Sequence, residues 1–271
     1  MARIFIVLPT LGRRLELLAE TLASIAEQDE PADVVMVAPA EAGEARALAL
    51  SHGALVASDP GGGLSAAVNA GLARAEAEHE FWNWIGDDDL LAPGALRAAS
   101  GALDAAPDAV VAFGYCDYID AEGHRLFTSR AGRLAPWIMT WGPDLVPQPG
   151  ALVRLAAVRE VGGLDTSLTC AMDLDLFLRL RRVGRFVSTG RTLAAFRWHP
   201  ASTTVANRDR NIEESETVKR RYLAPPWRQA AGLWEAPVRI ATRAAARRVD
   251  AMAGRVAGRR VEVGDRAGRE R

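Results

Sequence analysis

Over the first third of the chain, short apolar runs alternate with segments whose apolar residues recur at helical spacing, and this alternation restricts the fold more than any other feature. Arg3 to Leu8 reads as a buried strand ended by Pro9, after which Leu15, Leu18, Leu22 and Ile25 follow a helical period. Val34 to Val37 is a second strand, and an alanine-rich helical stretch lies near Glu44 to Leu50. Ala54 to Ala57 is a third strand, Asp59 to Gly63 a turn, Leu64 to Ala77 a helix and Phe81 to Ile85 a fourth strand. Such alternation predicts a mainly parallel sheet with helices on its faces. Ligands of these sheets sit beyond the carboxyl ends of the strands, so the residues just after each strand are the ones to inspect.

The second half is more mixed. Val110 to Tyr115 and Leu193 to Trp198 read as strands, Asp120 to Gly123 as a turn, and Asp173 to Val183 as an amphipathic helix with Leu176, Phe177, Leu180 and Val183 on one face. Pro225 and Pro226 open a different segment. From Arg221 onward twelve arginines stand against five acids, although the whole chain has a net charge of only -1. The expected organisation is therefore an α/β domain over 1–224 and a basic tail over 225–271, helical or partly disordered. In that tail Val238, Ile240, Val249, Met252 and Val256 lie among arginines, a pattern open both to a membrane-surface helix and to a solvated tail. The near-neutral balance gives no reason to expect nucleic-acid binding. Cys116 and Cys170 are too far apart for a metal-binding pair. The N-terminal apolar run is too short for a signal peptide, and no run approaches the roughly 20 residues needed to cross a bilayer. The expectation is a cytoplasmic protein with any membrane contact peripheral, on the inner face.

Four places carry chemistry. Asp87, Asp88 and Asp89 follow a strand directly, and three adjacent carboxylates repel one another unless a cation offsets the charge. Mg2+ or Mn2+ suits carboxylate oxygens and bridges to substrate phosphates. A solvated acidic turn ahead of a helix is the alternative. Asp59-Pro-Gly-Gly-Gly63 precedes a helix and allows close backbone approach to a ligand, while Asn69 is an unusual residue inside that helix. Asp173 opens an amphipathic helix, where a carboxylate is either a cap or a chemical group. His199 ends Phe196-Arg-Trp-His and is open to metal ligation or a packing role.

Taken in order, these pieces resemble family 2 glycosyltransferases of the GT-A fold, a Rossmann-like sheet flanked by helices. The resemblance covers about residues 3 to 222. It rests on Val7-Leu-Pro-Thr-Leu-Gly-Arg13, Gly63-Leu-Ser-Ala-Ala-Val-Asn69 and Trp84-Ile-Gly-Asp-Asp-Asp-Leu-Leu-Ala-Pro-Gly-Ala-Leu96. It rests also on Val161-Gly-Gly-Leu-Asp165, Ala171-Met-Asp-Leu-Asp-Leu-Phe-Leu-Arg179 and Phe196-Arg-Trp-His199. The resemblance implies that Pro9, Thr10, Asp59, Gly63, Asn69, Asp87 and Asp88 surround a nucleoside-diphosphate sugar. It implies that Asp87, Asp89 and His199 hold Mn2+ or Mg2+, with Asp87 also facing the ribose. Asp173 matches the catalytic base. The chain departs from the pattern twice. Val37 runs into Ala38 and Pro39 where an aspartate usually ends the second strand, and Met172 stands where glutamate often precedes the base.

The activity so implied is inverting transfer of a sugar from its nucleotide carrier to an acceptor hydroxyl, as in bacterial cell-surface polysaccharide or glycolipid synthesis. The acceptor would be a saccharide or a lipid-linked saccharide. Two other readings stand beside it. A nucleotidyltransferase would want a glycine-rich basic loop after the first strand, of which Thr10-Leu-Gly-Arg-Arg14 is a faint version. A catalytically degenerate GT-A binding or scaffold protein would release no nucleoside diphosphate.

Overall fold

The computed structural model describes residues 2–199 and 207–269, with side chains described as far as 254. Strands β1 (Ile4–Pro9), β2 (Ala32–Ala38), β3 (Leu55–Ser58) and β4 (Phe81–Trp84) lie side by side in the order β3-β2-β1-β4, and every pair is parallel. Helices α1 (Leu15–Ala26), α2 (Gly43–Ser51) and α3 (Leu64–Leu72) form the crossovers. Every residue of β1 is buried, as a parallel strand covered on both faces requires. Its alternate side chains divide between two cores. Ile4, Ile6 and Leu8 pack with Leu18, Leu22 and Ile25 of α1, and Phe5 and Val7 pack with Val68 and Leu72 of α3. Gly71 lets α3 close on β1, since a Cβ there would stand 2.4 Å from Val7 Cγ1.

Helix α3 stops at Leu72, short of the expected Ala77. The chain tightens through Arg74 N–H to Gly71 and Ala75 N–H to Leu72, and the His79 ring then takes the Glu76 N–H at 2.9 Å. A side-chain acceptor has replaced the next helical carbonyl.

The sheet continues through β5 (Leu90–Leu91), β6 (Ala109–Ile119), β7 (Arg125–Ser129), β8 (Leu152–Arg154) and β9 (Arg185–Arg197), in the order β4-β8-β6-β9-β5 with β7 on β6. Here the pairing is mixed: β8 is antiparallel to β4 and β6, β9 is parallel to β6, and β5 is antiparallel to β9. Between these strands lie α4 (Ala95–Asp104), α5 (Ala135–Ile138), α6 (Leu155–Glu160) and α7 (Met172–Val183). The expected strand at Leu193 to Trp198 is the end of the much longer β9, whose first half is polar and partly exposed.

The C-terminal region is a helical hairpin. Helix α8 (Arg208–Tyr222) leads through α9 (Pro225–Ala230) into α10 (Gly232–Arg269). Helix α10 runs back along α8, tied by Arg220–Glu235, Arg239–Glu216 at 2.6 Å, Arg243–Asp209 at 2.9 Å and Arg208–Asp250 at 3.0 Å. Pro225 and Pro226 stand at the turn of this hairpin. The side chain of Val256 and those of the arginines beyond it lie outside the described residues. No helix is long and apolar enough to cross a membrane among the described residues.

Candidate active site

The parallel strands β1 and β4 end side by side, so Pro9, Thr10 and the Gly86–Asp89 turn share one rim of the sheet. Thr10 is buried and donates its hydroxyl to Asp87 Oδ2 at 2.5 Å, while its own N–H bonds Val37 O. The next strand end supplies Asp59, whose N–H bonds Ala38 O at 2.9 Å and whose Oδ1 takes the Gly61 N–H. Gly61, Gly62 and Gly63 all have φ between +77 and +91°, a region costly for other residues, and Gly63 leads into α3. Where the second strand lacks its usual aspartate, the Ala38 carbonyl is engaged by both Asp59 and the Arg46 guanidinium.

The acidic turn is held by two arginines that sequence reasoning assigned no role there. Arg14 Nη2 bonds Asp87 Oδ1 at 2.5 Å, and Nη1 bonds Asp88 Oδ2 at 2.6 Å. Burial works against the guanidinium charge, but Asp87 and Asp88 outweigh it and hold Arg14 more firmly protonated than usual. Arg197, almost fully buried, donates its backbone N–H to Asp89 Oδ1 at 3.0 Å and its Nε to Asp88 O at 3.0 Å, and it also bonds Ala121 O and Glu20. Burial pushes Asp87 above the ordinary aspartate range, and burial together with Asp88 pushes Asp89 further up.

His199 therefore meets Asp88. Its Nε2 lies 2.9 Å from Asp88 Oδ2 and 2.8 Å from Arg14 Nη1. Asp89 points instead into the β9 backbone. The ligand atoms of Asp87, Asp89 and His199 do not converge as one set among the described residues. The group that does converge, Asp120, Glu122 and His124, lies in the β6–β7 turn, where Asp120 Oδ1 accepts the N–H groups of Glu122 and His124.

Arg14 already places a positive charge between Asp88 and His199. One imidazole nitrogen cannot donate to Asp88 and accept from Arg14 at the same time. A carboxylate oxygen and a ring nitrogen thus face a positively charged group already, and the chain's own guanidinium stands where an ion would. One carboxylate with one imidazole suits Mn2+ better than Mg2+, which prefers oxygen throughout. Asp88 and His199 are the carboxylate and imidazole that could hold a divalent cation here, with Arg14 displaced from between them.

Asp173 lies at the head of α7, partly exposed, in a recess it shares with Trp84, Gln148 and Phe177. Trp84 is on β4, immediately ahead of the acidic turn, so the recess adjoins that turn. Burial raises Asp173 above the ordinary aspartate range, the N–H groups of Leu174 and of Asp173 itself oppose this, and Glu214 adds to it. Met172, where glutamate was the usual residue, is packed in the core. A carboxylate reaches the helix head from α8 instead: Glu214 accepts N–H bonds from Thr169, Cys170 and Ala171 at 2.5–3.1 Å. Glu214 thereby ties the turn that leads into α7 to α8.

Asn69 ties α3 to the loop before α7. Its amide donates to Leu164 O at 2.8 Å and accepts the Leu164 N–H at 2.9 Å. Arg179 of α7, paired with Asp175, holds the same loop through Val161 O and Gly163 O. Gly163 has φ +72°, and a Cβ there would stand 2.6 Å from Asn69 Oδ1. Helices α3 and α7 are thereby fixed to one loop.

The glycosyl transferase family 2 model matches residues 5–143, just over half of the chain. The chain belongs to glycosyl transferase family 2. The O-antigen biosynthesis protein RfbC of Myxococcus xanthus is 31% identical over 125 residues, which is 44% of this chain and 9% of that protein, so the chain spans under a tenth of this relative. Among solved structures, S. aureus TarS 1–349 in complex with UDP-GlcNAc superposes with a TM-score of 0.63 at 16% identity, covering 84% of this chain and 70% of that one. The mannosyltransferase PcManGT of Pyrobaculum calidifontis, in complex with GDP-Man and Mn2+, also gives 0.63, at 19% identity, covering 95% and 80%. These likenesses show the fold, which is GT-A.

Proposed function

We propose that this family 2 glycosyltransferase moves a sugar from a nucleoside-diphosphate donor to an acceptor hydroxyl with inversion, in the building of a bacterial surface polysaccharide or glycolipid. The observation that carries the proposal is the placing of Asp173 beside Trp84, in a recess that adjoins the acidic turn. The likeness to TarS and PcManGT, whose complexes hold UDP-GlcNAc and GDP-Man, supports a nucleotide-sugar donor.

Pro9, Thr10, Asp59 and Gly63 line the rim for the nucleoside, with Arg46 beside Ala38 where the second-strand aspartate is missing. Asp87, fixed by Thr10 and Arg14, faces the ribose. A divalent cation held by Asp88 and His199, Mn2+ for preference, would act as a Lewis acid toward the leaving diphosphate. Asn69 keeps the Gly163–Leu164 loop against α3, so the donor side and the α7 side keep their spacing.

Asp173 takes the proton from the acceptor hydroxyl as that oxygen bonds the anomeric carbon from the face opposite the diphosphate. The bond from that carbon to the diphosphate oxygen breaks, and the nucleoside diphosphate leaves with its electron pair. A raised pKa suits Asp173 to this, because it makes the carboxylate a stronger base. The test is Asp173→Asn assayed for release of nucleoside diphosphate. The expected result is a loss of about 10^2- to 10^4-fold in kcat with donor binding kept. Near-full activity would remove Asp173 from the mechanism.

A further inference from the structure

Among the described residues, seven of the eleven large apolar side chains that stand exposed belong to α5 and the turn after it, α9 and α10. In α5 and the turn after it, Leu134, Trp137, Ile138 and Trp141 are spaced i, i+3, i+4 and i+7, so they share one side of the helix. Leu134 is 67% exposed and Trp137 66%. The Trp141 ring lies 5.6 Å from Trp227 and 5.1 Å from Trp234, which joins this side to the C-terminal hairpin. There Leu233, Pro237, Ile240 and Ala244 follow one another outward along α10, with Leu233 80% and Ile240 69% exposed; Arg248 continues that spacing, and Arg247 borders it beside Arg243 and Asp209.

The polar side of α10 is spent internally. Glu235, Arg239, Arg243 and Asp250 pair with α8, and Asp250 also accepts the Trp198 indole N–H. A surface helix ordinarily buries its apolar stripe. Helix α10 buries Val249 but leaves Leu233 and Ile240 exposed, and a run of exposed apolar residues marks an interaction surface, where scattered ones do not.

Charge decides the partner. Residues 130–143 and 225–234 contain Arg130, Arg133 and Arg228, all exposed, and no carboxylate. Within α10 as far as residue 254, the two carboxylates are both engaged with the hairpin or Trp198, while Arg247 and Arg248 are exposed. Asp144, just beyond the first window, and Asp209, beside Arg247, are exposed acids nearby, and Arg130, Arg133, Arg228, Arg247 and Arg248 outnumber them. Tryptophan and leucine in a rim dominated by arginine is the composition that rests at the headgroup level of an anionic bilayer.

We infer that this face docks on an anionic phospholipid surface, with Trp137, Trp141 and Trp227 at the headgroup boundary and Leu134, Leu233 and Ile240 entering it. The segment that forms α5 runs on to Gln148, which lines the Asp173 recess, and Arg181 of α7 stacks over Trp137 at 4.6 Å. A docked molecule therefore opens its recess near the lipid headgroups, where a lipid-linked acceptor presents its hydroxyl. That consequence rests on the glycosyltransferase reading, whereas the docking itself does not.

The test is flotation of the full chain with phosphatidylcholine vesicles and with mixed phosphatidylcholine–phosphatidylglycerol vesicles, in about 0.1 M salt. The chain is expected to float with the anionic vesicles, with a blue shift of tryptophan emission, and to be released by high salt. Trp137→Ser, Leu233→Ser and Ile240→Ser combined, all at exposed positions, are expected to lower partition by at least about tenfold with an unchanged circular dichroism spectrum. Arg247→Gln and Arg248→Gln are expected to lower it by roughly fivefold each. Absence of flotation, or equal flotation of the triple variant, overturns the inference. So does a wild-type dimer that ignores vesicles and that the triple variant dissociates, since the face would then meet a second copy of the chain. Nucleotide binding, measured on the same samples without vesicles, separates this outcome from failure of the glycosyltransferase reading.

Discussion

Arg14 Nη1 lies 2.6 Å from Asp88 Oδ2 and 2.8 Å from His199 Nε2, so a residue of the loop before α1 joins the acidic turn to the segment that follows β9. The contact joins positions 74 and 185 residues apart and places a fixed positive charge where the divalent cation is proposed to sit.

Arg14 and the cation should compete. Arg14→Gln is expected to tighten Mn2+ binding, because the guanidinium no longer has to be displaced. The same variant should lower the stability of the metal-free protein by roughly 1–3 kcal/mol, since Asp87 and Asp88 lose a charged partner. Titration calorimetry with Mn2+ and denaturant unfolding check the two halves. Weaker Mn2+ binding in the variant would show that Arg14 supports the ion and does not stand in for it.

Glu214 should make stability pH-dependent. Burial raises its pKa, but the N–H groups of Thr169, Ala171 and Cys170, with the Arg210 charge, bring it below the ordinary glutamate value. A carboxyl with a depressed folded-state pKa adds stability that is complete above its unfolded pKa, about 4.3, and is lost as pH falls through the folded value. Glu214→Gln is expected to cost roughly 1–3 kcal/mol at neutral pH and to flatten the acid side of the stability curve. Thermal melts between pH 3 and pH 7 would check it, and parallel curves for the two proteins would speak against this role of Glu214.

Asp173 should set the acid limb of the rate. Its pKa is raised, so the basic form accumulates only above the ordinary aspartate value of about 3.9. The limb of kcat/KM is expected there, and Glu214→Gln should move it down, because the Glu214 charge is one of the causes that raise Asp173. A limb unmoved by that variant, in a protein that keeps its fold, would indicate a different titrating group.

The parallel half of the sheet was legible from sequence because β1 is apolar throughout, its neighbours are mostly so, and helical periods separate them. The mixed half was less so. Strands β5 and β8 are two and three residues long, and the first half of β9 is polar, so neither period nor composition marks them. At the site, Asp173 and the acidic turn stand out as carboxylates beside apolar runs. Arg14, Arg197 and Glu214 do not, because each acts on a segment tens of residues away and looks locally like an ordinary charged residue. The division of labour within Asp87-Asp88-Asp89 was also hidden. Only the turn geometry, with Asp89 bonded to the Arg197 N–H, shows that Asp88 is the carboxylate that meets His199.

The most direct measurement is thermal stability with UDP, dTDP and GDP in turn, with and without Mn2+, for the wild type, Asp88→Asn and Asp89→Asn. A ligand at about 100 times its dissociation constant adds roughly 2.7 kcal/mol, which for a chain of this size raises the midpoint by about 2–4 °C. The expected result is a shift from one nucleotide that requires Mn2+, is absent in Asp88→Asn and persists in Asp89→Asn. No shift with any nucleotide, or a shift that Asp88→Asn retains in full, would contradict the assignment of the cleft as a metal-assisted nucleotide-sugar site.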